Sequence, residues 1–172
     1  LEQEKKIDSS GTYNFRKLDC KHIHFHPRGA MIDDSFKGVK HCVCFSGRGT
    51  LIPKTLIKNV GYLDERMVQY GSDEDFVLRC SERSIPVYIS WNARVLNHTS
   101  MTSYGKFKTQ LNFRLFLRSL FDPYTNNNLW LNFYFYWKHC YKALSGFYIV
   151  FNLFKQLIWF FVMKIRLYSG GL

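Results

Sequence analysis

Acidic residues are almost missing from the last third of the chain. Residues 105–172 contain nine lysines and arginines but a single acid, Asp122, while the whole chain has 24 basic and 13 acidic residues. The same segment carries aromatic runs such as LWLNFYFYWKHCY. Surfaces that bind nucleic acid are rarely this apolar. Basic and aromatic residues together therefore predict an anionic membrane surface as a partner, and no nucleic acid.

A long uninterrupted apolar run is also missing. A bilayer-spanning helix needs about 20 mostly apolar residues, and the tail segment 143–154, which has no charge and no histidine, is only twelve residues. On a helical count, Asn152, Lys155, Gln156 and Arg166 share one narrow stripe and apolar residues occupy the rest. This pattern favours a helix that lies on a membrane or packs on a partner. A helix pair buried in its own domain has the same periodicity and stays an alternative.

The cysteine count and the amino-terminal segment bear on the compartment. Five cysteines, an odd number in a chain of 172 residues, are not typical of a small secreted disulfide framework, which favours a reducing compartment. The opening LEQEKKIDSS is charged and has no apolar core of a signal peptide. We therefore expect a cytoplasmic protein, peripheral at the inner face of the cell membrane. Composition divides the chain into 1–104 and a helical extension, 105–172.

Local signals predict short elements along the first part of the chain. Pro53 in a first turn and Gly61 at a C-terminal stop delimit a short helix. The polar start predicts loops with one or two short strands, and the tail predicts helices. The remaining predicted elements are strands at 39–45, 86–90 and 93–98, a helix at 73–84, and a loop at 122–128.

The stretch QYGSDEDFVLRC places Asp73, Glu74 and Asp75 at a predicted helix start. Ser72, three positions before Asp75, fits the capping pattern [ST]-x-x-[DE]. The helix dipole favours acids in a first turn, and Asp75 and Arg79 are four apart and can pair. Local physics thus explains every charge of the motif as a well-capped, solvated helix start.

The surrounding segment adds a second interpretation. In order, it contains the turn SGRG, the segment LIPK, the helix end GYLDE, the motif YGSDEDFVLR and a final histidine, His98. This string, Ser46 to His98, resembles the second half of the family 2 glycosyltransferases, bacterial GT-A enzymes that transfer a sugar from a nucleotide donor to an acceptor. The resemblance covers the middle third of the chain. It implies an α/β fold, the C-terminal part of a GT-A (Rossmann-like) domain, followed by the helical, aromatic-rich basic tail.

The resemblance also implies roles for individual residues. Inverting transfer needs a base for the acceptor hydroxyl and a cation for the departing nucleotide diphosphate. The resemblance places the base on Asp73, with Asp75 and Arg79 in support. A divalent metal, Mg²⁺ or Mn²⁺, would be bound mainly by the half of the domain that is not seen here, with help from His98. A histidine hydrogen-bonded at a strand end is the alternative for His98.

Further residues would bind the nucleotide-sugar donor and a glycan or lipid-linked acceptor. Gly47, Arg48 and Gly49 would lie near donor and acceptor, with Arg48 available to an anionic group. A plain tight turn with an exposed arginine is the alternative. Trp91 and Tyr70 could stack on a sugar, although packing in the core is the commoner use of such side chains.

A second possible site is the segment CKHIHFHPRG. On a strand, His22, His24 and His26 would share one face, and further zinc ligands would come from His41, Cys42 and Cys44. The spacing of two residues is not that of zinc fingers.

The nucleotide-binding half of a GT-A domain, with its metal-binding D-x-D, is not recognisable in the chain. The adjacent acids of MIDDSF, Asp33 and Asp34, do not follow an apolar strand, so we predict a surface turn there. The chain is expected to be a C-terminal portion of an enzyme. The alternative is a non-catalytic, membrane-associated interaction module that keeps the half-fold.

Overall fold

The computed structural model describes residues 6–96 and 112–169, and these fall into two compact units. The first unit comprises Leu1–Glu65 and Gly71–Asn97, and the second comprises Arg66–Tyr70 and His98–Leu172. The chain is mixed α/β, as predicted. The domain boundary predicted at residue 104 lies outside the described residues.

Two small antiparallel sheets form the first unit. Strands β1 (Thr12–Arg16) and β2 (Lys21–His24) make one hairpin, and β3 (Val39–Cys42) pairs with β4 (Val87–Ser90). Thr12 joins the sheets, because its N–H donates to Cys44 O and its carbonyl accepts from Val43 N, both at 2.8 Å. The predicted amino-terminal strands and the strands within 39–45 and 86–90 are thereby confirmed.

Two helices cover the sheet of β3 and β4. Helix α1 (Lys54–Val60) begins after Pro53 and ends where the Gly61 N–H donates to Ile57 O at 2.8 Å, as the local signals predict. Helix α2 (Ser72–Glu82) buries its apolar face. The resulting core contains Val60, Phe76, Val77 and Cys80. Four partly buried side chains pack against it: Phe45, Leu56, Ile85 and Val87.

The strand predicted at 93–98 is wrong for its described part, 93–96. These residues form no strand and are exposed. The pairing of β4 stops at Ser90, and the loop is then held at Asn92, whose Oδ1 accepts from Gly38 N at 3.0 Å. In the described part of the unit no strand lies beside 93–96 to pair with it, and an unpaired segment does not form a β-strand in water.

The second unit is helical in its described part. It contains α3 (Phe113–Ser119), α4 (Leu129–His139), a 3₁₀ turn (Lys142–Leu144) and α5 (Ser145–Tyr168), and the loop predicted at 122–128 is confirmed. Asn112 and Asn128 cap α3 and α4 by accepting from Arg114 N and Leu131 N. Phe116, Leu120 and Phe160 form the core of this unit.

Helix α5 has one packed face and one exposed face. Asn152 and Gln156, two of the four residues predicted to share a polar stripe, face inward. Asn152 Nδ2 donates to the Tyr136 hydroxyl of α4 at 3.1 Å, whereas Lys155 and Arg166 are exposed. By length and composition alone, residues 142–166 could cross a membrane.

Candidate functional site

The glycine turn of residues 47–49 lies directly against the start of α2. The Gly47 N–H donates to Asp73 Oδ2 at 2.5 Å, although the two residues are 26 positions apart. A Cβ atom at position 47 would lie 3.0 Å from Asp73 Cβ and 3.1 Å from its Oδ2. A side chain at position 47 would push the Asp73 side chain aside by a few tenths of an ångström, so glycine favours this close approach. The fold brings together two residues that the sequence analysis assigned to one site.

The rest of the turn contacts an acid from the amino-terminal segment. Gly49 has a φ of 72°, which favours glycine. Arg48 Nη1 lies 3.3 Å from Asp8 Oδ2, and the Arg48 side chain is 50% exposed. Arg28 contacts the other oxygen of the same carboxylate. Arg48 is thus accessible, but an anionic ligand would compete with Asp8 for it. Exposed ion pairs of this kind are weak, so the competition is slight.

Asp75 and Arg79 form a structural clip. Arg79 Nε donates to Asp75 Oδ2 at 2.9 Å, and its two terminal nitrogens donate to Val60 O and Tyr62 O, each at 2.7 Å. Asp75 is fully buried. The clip ties the C-terminal end of α1 to α2, which confirms the predicted pairing of Asp75 with Arg79 and fixes the helix on which Asp73 lies.

The predicted cap by Ser72 is wrong. Helix α2 begins at Ser72, and the capping position is occupied by Gly71, whose φ of 88° is left-handed. The Asp75 N–H donates to Gly71 O at 2.7 Å, and no side chain caps the helix. The capping pattern selects Ser72 by residue type alone. It takes no account of the preceding Gly71, which readily adopts the left-handed conformation that serine disfavours.

Glu74 lies beside Asp73 at the site, although its place in the motif predicts only a solvated side chain. Its Oε2 lies 3.9 Å from Nε2 of His22 on β2. Desolvation by the surrounding protein, and then the negative charge of Asp73, raise the pKa of Glu74 to about 7. The side chain is still 42% exposed, so water limits the shift. A contact between residues this far apart in sequence leaves no local signal.

Within the described residues, the histidines of the segment CKHIHFHPRG do not assemble into the possible zinc site. The rings of His22 and His24 stack at 6.3 Å, so they share a face as predicted. His26 lies beyond β2 and packs on Phe36 at 4.1 Å, and His41 packs on Tyr88 at 5.8 Å. In residues 6–96 and 112–169 no three potential ligands come close enough to hold a metal.

The nearby thiols favour their neutral form. Burial raises the pKa of Cys42 to about 11, and burial together with the charges of Glu74 and Asp73 raises the pKa of Cys44 further. Zinc binds the thiolate form of cysteine, so the raised pKa values of Cys42 and Cys44 disfavour zinc binding by either side chain.

Trp91 packs in an aromatic cluster of the first unit. Its indole N–H donates to Ser10 O at 3.2 Å, and its ring lies 5.5 Å from the rings of both Phe25 and Phe36. The side chain is half-buried, which favours the packing alternative for this residue. His98, the predicted metal-binding histidine, lies outside the described residues.

An open groove of about 490 Å³ lies beside α1, α2 and β4. Its walls are mostly apolar and include the chain that leaves the glycine turn, Thr50 to Pro53, and the α2 residues that follow the acidic motif, Phe76 and Val77. Leu51, at the rim, is 95% exposed.

Comparisons of the chain with protein-family models, with characterised proteins and with solved structures find no match. The assignment of a function therefore depends on the residues and on the geometry of the site.

Proposed function

We propose that the first unit is the acceptor-side half of an inverting glycosyltransferase of the GT-A type. It would transfer a sugar from a nucleotide-sugar donor to a glycan or lipid-linked acceptor. The observation that carries the proposal is the contact of the Gly47 turn with Asp73. The glycine turn and Asp73, the first acid of the motif YGSDEDFVLR, are the two elements that the resemblance places at one reacting centre.

In this proposal Asp73 is the general base. Its Oδ2 accepts the Gly47 N–H, and its Oδ1 accepts no hydrogen bond from the described residues. As the acceptor oxygen attacks the anomeric carbon, the bond from that carbon to the diphosphate breaks and the hydroxyl proton passes to Oδ1. A positioned base contributes about 10²- to 10⁴-fold to such a step. The clip of Asp75 and Arg79 keeps the helix start in place.

The donor and its metal belong to another part of the enzyme. The described residues contain no cluster of three potential metal ligands, so we assign no step to a metal. A Mg²⁺ or Mn²⁺ ion would neutralise the donor diphosphate as it leaves. Its ligands would come mainly from the nucleotide-binding half, with His98 as an additional one.

The groove supports an acceptor with an apolar part. It opens beside the chain that leaves the glycine turn and is lined by Phe45, Phe76 and Val77. Apolar walls favour a lipid-linked acceptor over a free sugar, because a lipid chain buries much more apolar surface there than the C–H faces of a sugar do.

A transfer assay tests the proposal. The chain, joined to whatever donor-binding half its reading frame encodes, is incubated with Mn²⁺, a panel of nucleotide sugars and lipid extracts as acceptors. We expect a glycosylated lipid product from one donor. If no donor yields a product or is hydrolysed, the transferase proposal fails, and the non-catalytic interaction module is the better description.

A further inference from the structure

One face of α5 exposes a continuous row of apolar side chains, which we call the apolar stripe. The stripe consists of Phe147, Val150, Phe151, Phe154, Ile158, Phe161, Val162 and Ile165, each between 41% and 66% exposed. On the opposite face Tyr148, Phe160 and Met163 are buried, at 8%, 0% and 7% exposed. The helix is therefore anchored to its own unit on one side and unpartnered on the other within the described residues.

The stripe is long, narrow and uninterrupted. With 3.6 residues per turn, its members fall within an arc of about 120°, and the rise of 1.5 Å per residue gives it a length of about 27 Å. Soluble monomers rarely expose a contiguous apolar patch of this size. Something other than water is expected to cover it.

Charge indicates what covers it. The described residues of the second unit, 66–70 and 112–169, contain eight lysines and arginines and one acid, Asp122. By helical position, Lys155 and Arg166 lie along one edge of the stripe and Lys164 lies along the other. An apolar face flanked by cations suits an anionic lipid surface, where the stripe meets acyl chains and the cations meet headgroups. A second copy of this unit would bring like charges together.

Aromatic and basic side chains also meet on the neighbouring helix. Trp130 and Trp137 of α4 are 67% and 46% exposed, and Lys142 Nζ lies 5.7 Å from the centre of the Trp137 ring. Tryptophan and lysine together are typical of the boundary between headgroups and acyl chains.

The packing of α4 on α5 favours a helix that lies in the surface over one that crosses it. Helix α4 has 11 residues, about 16 Å, and cannot cross a hydrocarbon layer of about 30 Å. It is nevertheless bound along the first half of α5, where Asn152 donates to the Tyr136 hydroxyl. A crossing α5 would also place the exposed Lys155 near the centre of the bilayer, which is costly.

We propose that α5 lies in the plane of an anionic membrane surface, with the apolar stripe inserted among the acyl chains. Lys155, Lys164 and Arg166 then contact the lipid headgroups. This inference does not depend on the transferase chemistry of the first unit, since it concerns residues of the second unit alone.

Flotation of the full chain with vesicles tests the lipid partner. We compare vesicles of phosphatidylcholine with vesicles that contain phosphatidylglycerol as well, at low and high salt. We expect binding that increases with the anionic lipid and decreases with salt, because salt screens exposed charges. The double variant Phe154→Ser/Ile158→Ser should lose about tenfold or more in partitioning, since two inserted apolar side chains are removed.

The matched control is Val39→Ser/Tyr62→Ser, which removes two exposed apolar side chains, 61% and 82% exposed, from the first unit. It should bind vesicles like the unchanged chain, and circular dichroism checks the fold of both variants. Equal loss in both double variants would overturn the role of the stripe. A different result would be that the unchanged chain does not bind vesicles but forms a dimer, and that Phe154→Ser/Ile158→Ser dissociates this dimer. A second copy of the chain would then cover the stripe, and the proposal would be overturned.

The depth of the helix tests its orientation. Cysteines introduced singly for Phe147, Phe154 and Ile165 carry a fluorophore, and lipids brominated at different depths quench it. The unsubstituted chain, treated with the same reagent, gives the background from native cysteines. We expect one common depth for the three positions. A deep label at position 154 with shallow labels at 147 and 165 would mean that α5 crosses the bilayer, which would overturn the proposed in-plane orientation.

Discussion

Replacing Arg79 with methionine should destabilise the first unit by about 4 kcal/mol. The guanidinium donates to Asp75, Val60 and Tyr62, at 2.9, 2.7 and 2.7 Å. The side chains of Asp75 and Arg79 are 0% and 15% exposed, so water cannot replace the lost contact with Asp75. Removing one partner of a buried ion pair costs about 3–5 kcal/mol, because it leaves the other charge buried alone. The carbonyl of the buried Val60, left without this donor, keeps the expected value from falling to the bottom of that range.

Matched variants separate this mechanism from a general loss of packing. Arg83→Met removes an exposed arginine at the end of α2 that donates to Asn59 O of α1 at 3.1 Å, and it should cost about 1 kcal/mol or less. The double variant Asp75→Leu/Arg79→Met should be more stable than Arg79→Met, because it leaves no buried charge.

Hydrogen exchange measured by mass spectrometry in increasing urea provides the assay. Peptides from α1 and α2 report the first unit by itself, which matters because a chain of two units need not unfold in a single step. If the free energies of unfolding of Arg79→Met and Arg83→Met differ by less than about 1 kcal/mol, the clip does not stabilise the unit as described.

Three further predictions concern the site. Gly47→Ala should reduce sugar transfer about tenfold while leaving the circular dichroism spectrum unchanged, because its Cβ would push against Asp73 at 3.0 Å; full activity would contradict the close approach. The raised pKa of Glu74 means that the folded chain holds its proton more tightly than the unfolded chain, so this contribution to stability is full below pH 4.5 and lost as pH rises through about 7. Glu74→Gln should therefore raise the urea midpoint relative to the unchanged chain at pH 8 but not at pH 4, and an equal difference at both would refute the shift. Cys42 and Cys44, buried with raised pKa values, should resist iodoacetamide at pH 8 until urea unfolds the chain, as peptide mapping would show.

Features set by neighbouring residues could be predicted from the sequence. Pro53 and Gly61 delimit α1, and the spacing of Asp75 and Arg79 predicts their pairing, because the physical cause lies within one helical turn. The resemblance assigns the glycine turn and Asp73 to one site, so their approach could be expected. In the structure the Gly47 N–H donates to Asp73.

Features set by the tertiary fold could not be predicted. The contact of Glu74 with His22 joins separate elements, and no local pattern encodes it. Periodicity indicated that α5 has distinct faces, but the inward position of Asn152 depends on the Tyr136 hydroxyl of another helix. The missing strand at 93–96 depends on the absence of a partner strand beside it in the described part of the unit.

The rate of sugar transfer by Asp73→Asn tests the central claim most directly. Asparagine keeps the size of the side chain and an oxygen that can accept the Gly47 N–H, but it cannot take a proton. Asp34→Asn, the same change at an exposed acid, is the control. We expect the turnover of Asp73→Asn to fall about 10²- to 10⁴-fold, with the affinity for the donor and the urea midpoint unchanged. Turnover equal to that of Asp34→Asn would contradict the assignment of Asp73 as the base.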